Sequence, residues 1–389
     1  MRRLLRLTSV VASAVAVAVG VGGLCGGCSH GARAQIILET KKPVVGLAIQ
    51  GSDVAWFTDE YSLWLRASGQ TRRLLWPPVG FSPFDSGGGD LRATLRLAGG
   101  NVGWLVSTQD QPKTGYIAIG VSSLPPRRAT AFKVDSTDSG YVEPDTGTLI
   151  TGIAASGNAI LWGTVEIDLL DTPDAMVSWG DSLCDLSAGG DSNCRTRVIG
   201  GAIREWSGGT STRVSKLPSS AAIAANGKLV AVATWPSRGA WARGYPPLGP
   251  ITVSRLGGPV LARMELPQKI REMPDEMELS QQLLAVDFGA ILGEILLFDV
   301  QSGRFIARVP ANFSDSIAVT GSKLVLWNER RVLVIDPHSG LRTLMTTARA
   351  SRTDTRATTI TAVAVDGDRL AWAQTDSRGQ SIVRIIRVG

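Results

Sequence analysis

The chain has 389 residues, 44% of them hydrophobic, with 40 Lys and Arg against 34 Asp and Glu and only two histidines, His30 and His338. Arg2, Arg3 and Arg6 belong to an apolar leader, so the remainder carries 37 basic against 34 acidic residues, with the arginines scattered and no basic face. That balance excludes a nucleic-acid binder, and two histidines are too few for a histidine-built zinc site.

The first segment, MRRLLRLTSVVASAVAVAVGVGGLCGG, reads as a secretory signal peptide over residues 1–27: a basic start, then an apolar run without acids. It is shorter and richer in Ala, Val and Gly than a spanning helix, and no later segment approaches the roughly 18 apolar residues that a span needs. Two processing sites compete. Cys28 follows Gly26 and Gly27, and LCGGC resembles a bacterial lipobox, whose cysteine becomes lipidated. Ala32-Arg33-Ala34 suits an ordinary peptidase, which would release a secreted protein after Ala34. Residues 28–34 are then a short tether. Either route takes the chain out of the cytoplasm, and lipidation would hold it on the outward side of a membrane.

Residues 35–389 carry repeats. VVGLAIQGSDVAWFT, RLAGGNVGWLVS, ITGIAASGNAILWGT, AAIAANGKLVAVAT, LSQQLLAVDFG, SIAVTGSKLVLWNE and ITAVAVDGDRLAWAQ each give an apolar alternation, a small turn and a second alternation. Period-two alternation around a tight turn predicts a strand hairpin. A second strand-turn-strand follows, as in EILLFDVQSGRFIARV and RRVLVIDPHSGLRTLM. Two hairpins make a four-stranded unit, the blade of a propeller. The expectation is an all-β, seven-bladed propeller, with six or eight blades as alternatives because residues 140–217 are long enough to hide another strand pair. The final unit stops after three strands while QIILET, Gln35–Thr40, precedes the first hairpin unpaired, so this strand is expected to complete the last blade.

The forms ANGKLVAVAT, DGDRLAWAQ, FDVQSGRFIARV and VIDPHSGLRTLM resemble repeats of the bacterial TolB-like and YVTN-type propellers. That resemblance implies a ring of blades whose loops hold partner proteins. It carries over no catalytic residue.

Three sets of residues invite a functional reading. Asp336, His338 and Ser339 lie within DPHSG, but the preceding unit has DVQSG with Gln301 in place of the imidazole, so a turn is expected and not a hydrolytic site. Trp56, Trp104, Trp162 and Trp372 share one repeat position and are expected in the core, whereas Trp179, Trp235 and Trp241 fall in insertions and are the candidate binding residues. The acidic runs around Asp135 and Glu166 lack calcium-loop spacing. The segment at about 168–198 interrupts one blade and holds Cys184 and Cys194, an even pair that reads as a disulfide in an exported chain.

These readings assign no catalytic residue, metal or cofactor. They give a monomeric module for an envelope protein or cell-surface polymer, held to a membrane by its lipid and touching no nucleic acid. The alternative is an extracytoplasmic hydrolase or lyase using carboxylates or a metal at the channel mouth.

Overall fold

The computed structural model describes residues 34–59, 62–74, 91–99, 101–108, 117–123, 131–137, 146–170, 195–207, 210–217, 222–234, 248–267, 270, 274–311, 316–348 and 357–388. These form an all-β propeller of four-stranded antiparallel sheets, with seven such sheets among the described residues. After β1 (Gln35–Thr40), sheet 1 holds β2 (Val44–Gln50), β3 (Asp53–Thr58), β4 (Leu63–Ala67) and β5 (Gln70–Leu74). Sheet 2 holds β6 (Leu91–Ala98), β7 (Asn101–Thr108), β8 (Ile117–Ser123) and β9 (Ala131–Thr137). Sheet 3 holds β10 (Thr146–Ser156), β11 (Ala159–Leu170), β12 (Arg195–Ser207) and β13 (Thr210–Leu217). Sheet 4 holds β14 (Ala222–Asn226), β15 (Leu229–Ala233), β16 (Ile251–Arg255) and β17 (Val260–Met264). Sheet 5 holds β18 (Glu276–Leu279), β19 (Leu283–Phe288), a four-residue helix α1 (Gly289–Leu292), β20 (Glu294–Asp299) and β21 (Phe305–Pro310). Sheet 6 holds β22 (Ser316–Thr320), β23 (Lys323–Asn328), β24 (Arg331–Ile335) and β25 (Arg342–Thr347). Sheet 7 holds β26 (Thr358–Asp366), β27 (Arg369–Asp376) and β28 (Ser381–Arg387), and β1 is its outermost strand.

The expected closure is present. Gln35 pairs with Ile385, Leu38 with Val383 and Thr40 with Ser381, so both chain ends satisfy each other's edge. The first strand of each sheet lies innermost and touches the first strands of the sheets before and after it, from β2 round to β26 and back to β2. The described residues of 140–217 contain no extra strand pair. The described part, from Thr146, forms one sheet with long strands, and pairing continues to Leu170 opposite Arg195. The insertion expected at about 168–198 therefore narrows to 171–194, which lies outside the described residues.

Packing explains the ring. Alternating side chains on both faces of each sheet are apolar, and seven buried clusters sit between neighbouring sheets. One joins Val44, Leu47, Ile49, Val54 and Trp56 of sheet 1 to Ala362, Ala364, Ala371, Ala373 and Val383 of sheet 7. Each fully buried aliphatic side chain contributes about 1.5–3 kcal/mol. The four repeat-position tryptophans are core residues, with exposures of 4% for Trp56, 0% for Trp104 and Trp162, and 3% for Trp372.

A second set of contacts repeats at five of the innermost hairpin turns, where the residue before the turn bonds to the turn glycine of the next sheet. Gly99 N–H donates to Gln50 Oε1 at 2.9 Å, Ser156 Oγ to Gly227 O at 2.6 Å, Ser280 Oγ to Gly321 O at 2.5 Å and Thr320 Oγ1 to Gly367 O at 2.6 Å. At the seam between sheets 7 and 1, Gly51 N–H donates to Asp366 Oδ2 at 2.8 Å in the same way. Gly51, Gly227, Gly321 and Gly367 have φ between +56° and +61°, a left-handed conformation that glycine adopts without strain. In sheet 5, where glycine is missing from the expected place, Ser280 Oγ accepts from the amides of Gln282 and Leu283 and stabilises the turn by a different route.

This topology divides the connections between two ends of the ring. The turns within each inner hairpin and each outer hairpin lie at one end, called here the turn end. The links between the two hairpins of a sheet, and between sheets, lie at the other, the loop end. No helix among the described residues is long and apolar enough to cross a membrane.

Candidate functional site at the ring axis

The strand register places equivalent residues of the seven innermost strands at one level. At the third pair from the turn stand Ala48, Ala154, Ala224, Ala318 and Ala364, but Arg96 in sheet 2 and Glu278 in sheet 5. Two residues closer to the loop end stand Gly46, Thr94, Gly152, Ala222, Ser316 and Ala362, but Glu276 in sheet 5. Innermost strands converge on the axis, where crowding favours small side chains. The three exceptions fill the space the alanines leave.

They fill it with charge. Arg96 Nη2 donates to Glu278 Oε1, linking sheet 2 to sheet 5, and the two side chains retain 28% and 16% exposure. Arg96 Nη1 also donates to Leu95 O at 3.3 Å. Glu276 Oε2 accepts from the Ile317 amide of sheet 6 at 3.1 Å. Glu276 lies opposite Asp287 in the register, and Asp287 Oδ1 accepts from Gly289 N–H at 2.7 Å, fixing the start of α1. Glu276 and Glu278 of sheet 5 therefore both lie within the influence of Arg96, with Asp287 beside Glu276.

The electrostatics follow. Burial pushes the Glu276 carboxyl up to about 8, the charges of Glu278 and, less, Asp287 add to it, and the Ile317 amide and Arg96 oppose it. Burial also raises Glu278, against the charge and hydrogen bond of Arg96. At neutral pH the Glu276 carboxyl keeps its proton, beside the hydrogen-bonded Arg96 and Glu278. A protonated carboxyl at the partly buried axis can donate a hydrogen bond or a proton.

The DPHSG stretch lies at the turn end, far out on sheet 6, between β24 and β25. Asp336 Oδ1 accepts from the amides of His338 at 2.9 Å and Ser339 at 3.2 Å, and Gly340 has φ +71°. Asp299 accepts from Ser302 N at 2.7 Å and Ser302 Oγ at 2.6 Å in the matching turn of sheet 5. These bonds hold both aspartates below the usual carboxylate range. Since the same turn forms with Gln301 and with His338, and His338 is exposed, it is a turn as the sequence implied.

Cys28, Cys184, Cys194, Trp179, Trp235 and Trp241 lie outside the described residues. Sequence reasoning missed Arg96, Glu276 and Glu278. The available signal was the alanine or other small residue that recurs at these levels in every other unit.

No family model matches the chain, and no curated protein matches it. A crystal structure of the computationally designed Ika8 protein is similar over 90% of this chain and 98% of that one, at 13% identity and a TM-score of 0.43. That likeness is too low to carry an argument about function.

Proposed function

We propose that the chain is an exported, lipid-anchored propeller of the TolB-like or YVTN type, in which each four-stranded sheet is one of seven blades. It acts as a non-enzymatic binding or scaffolding module for a protein or polymer of the cell envelope. The observation that supports this reading is the asymmetry of the two ends. The segments 75–90, 171–194, 234–250 and 348–357 all connect strands at the loop end, while nearly every connection at the turn end is a tight turn. Binding residues concentrate on long connections held by a rigid scaffold. Two of those connections belong to adjacent sheets 3 and 4 and carry Trp179, and Trp235 with Trp241. A bridge between Cys184 and Cys194 would reduce the freedom of the first before binding. Affinity capture from an envelope extract tests this. Replacement of 171–194 by a short Gly-Ser linker, or Trp235→Ala with Trp241→Ala, is expected to abolish recovery of the captured partner. Unchanged recovery with both would refute it.

A second reading, an extracytoplasmic hydrolase or lyase, is favoured by one feature: the proton-holding Glu276 beside Asp287 on the loop-end side of the axis. Its test is hydrolysis or elimination activity against envelope polysaccharides that Glu276→Gln removes.

A further inference from the structure

The large apolar side chains exposed among the described residues are Val260 and Leu261 of sheet 4, Phe305 of sheet 5, Leu341 and Leu344 of sheet 6, and Ile36 of sheet 7, each 40% to 65% exposed. All six lie on, or one residue before, the outermost strands of four consecutive sheets. They also share an end. Val260 and Leu261 begin β17, Phe305 begins β21, Leu341 immediately precedes β25, and Ile36 is the second residue of β1, so these five sit towards the turn end, with Leu344 two residues into β25 from Arg342.

Basic side chains alternate with them. The exposed Arg255, Arg304, Arg342 and Arg387 stand at or beside the same outer-hairpin positions of sheets 4, 5, 6 and 7. The acids of these turns, Asp299 and Asp336, are engaged by turn amides. The rim is continuous between sheets 4 and 5, where a Cβ on Gly303 would lie 2.9 Å from the Arg263 carbonyl oxygen. The chain also joins the ring here, because Ala34 leads into the turn end of β1, next to Ile36. From Cys28 to that point an extended tether reaches roughly 20 Å, at about 3.3 Å per residue.

We propose that this rim, from Val260 through Phe305 and Leu344 to Ile36, rests on an anionic lipid surface. Apolar side chains enter the interfacial layer while the arginines pair with anionic headgroups, the combination by which peripheral proteins hold to membranes. The placement of the tether rests on the lipid-anchor reading above; the chemistry of the rim does not. Lipid at Cys28 and the rim then act as two signals on one side of the ring. The loop end, with its long connections, faces away from the membrane.

Residues 34–389 form one compact unit containing all seven inter-sheet cores, so this fragment serves without any lipid. It is expected to bind vesicles of phosphatidylcholine with phosphatidylglycerol and to leave vesicles of phosphatidylcholine alone largely unbound. Arg304→Glu with Arg342→Glu should reduce the partition coefficient about tenfold or more. Phe305→Ser with Leu344→Ser should do the same, with unchanged melting temperature as the folding control. Amide exchange in 256–259, 300–304 and 336–341 should slow on the anionic vesicles, and exchange in 289–293 and 329–330 at the loop end should not. Equal binding to both vesicle types, or rim variants that bind as well as the parent, would overturn the proposal. So would self-association that the rim variants abolish in the absence of vesicle binding, since the rim would then seat a second copy. Detergent-phase partitioning of the full chain against Cys28→Ser separates the two readings: loss of the anchor reading with rim binding intact leaves the rim standing.

Discussion

Arg96 and Glu278 are 182 positions apart in the chain and form an ion pair across the axis of the ring. Every other sheet has alanine at that level, so the pair is one substitution on each side of an otherwise apolar layer. Removing one partner leaves a carboxylate or guanidinium without its counter-charge in a poorly solvated channel. Arg96→Ala is expected to cost about 2–4 kcal/mol, somewhat below a fully buried pair because both side chains retain some exposure. The double variant Arg96→Ala, Glu278→Ala restores alanine throughout and should lose less than the sum of the single changes. Urea unfolding of the four proteins measures the difference.

Glu276 gives the axis a pH dependence of definite sign. Its carboxyl is raised from 4.5 in the unfolded chain to about 8 in the ring. Between those values the folded protein holds a proton that the unfolded chain has released, so stability falls as pH rises through that window. The stabilisation is fully present below pH 4.5. Glu276→Gln should flatten the decline, by on the order of 1–3 kcal/mol between pH 5 and 8. Melting temperatures across that range, parent against variant, check it. A parent whose stability rises over the same interval by way of Glu276 would contradict the assignment.

The seam between sheets 7 and 1 is held by the same side-chain link as other sheet boundaries, with additional bonds. Gly51 N–H donates to Asp366 Oδ2 at 2.8 Å, Arg66 Nη1 donates to Ile37 O at 2.7 Å and Val44 N–H donates to Ser381 Oγ at 3.0 Å. Asp366→Ala removes the acceptor of the Gly51 amide and the partner of Arg369, and should cost about 1–2 kcal/mol. Deleting Gln35–Thr40 exposes the whole edge of β28. Light scattering of that deletion should show association where the intact ring stays dispersed.

The DPHSG turn separates a structural residue from a bystander. His338→Gln copies the turn of sheet 5 and should leave the melting temperature unchanged. Asp336→Ala removes the acceptor of two amides and should lower it. Because those bonds hold Asp336 below its ordinary range, its contribution is present above the unfolded value and disappears as pH falls through the folded one. An effect of His338→Gln larger than that of Asp336→Ala would reopen the catalytic reading.

The ring was legible because its signals are local. Period-two alternation, turn glycines and the recurrence of Trp56, Trp104, Trp162 and Trp372 each occupy a few neighbouring residues, and Gln35–Thr40 needed only the arithmetic of an incomplete last unit. The axial charges were not legible in the same way. Arg96 and Glu278 each resemble an ordinary solvent-facing residue in a strand until the register superposes them on five alanines. The rim was hidden for a related reason: Leu344 and Phe305 look like core residues in an alternating strand, and only their place on an outermost strand exposes them.

The pairing of β1 with β28 also sets the timing of maturation. The strand that begins the ring waits for the strand that ends it, so an emerging polypeptide can stack its sheets in order but cannot seal them until β28 has arrived. At about 5–20 residues per second that interval is tens of seconds. During it, both borders stay available to proteases and chaperones, and a chain cut short anywhere before Ser381 never passes beyond that stage.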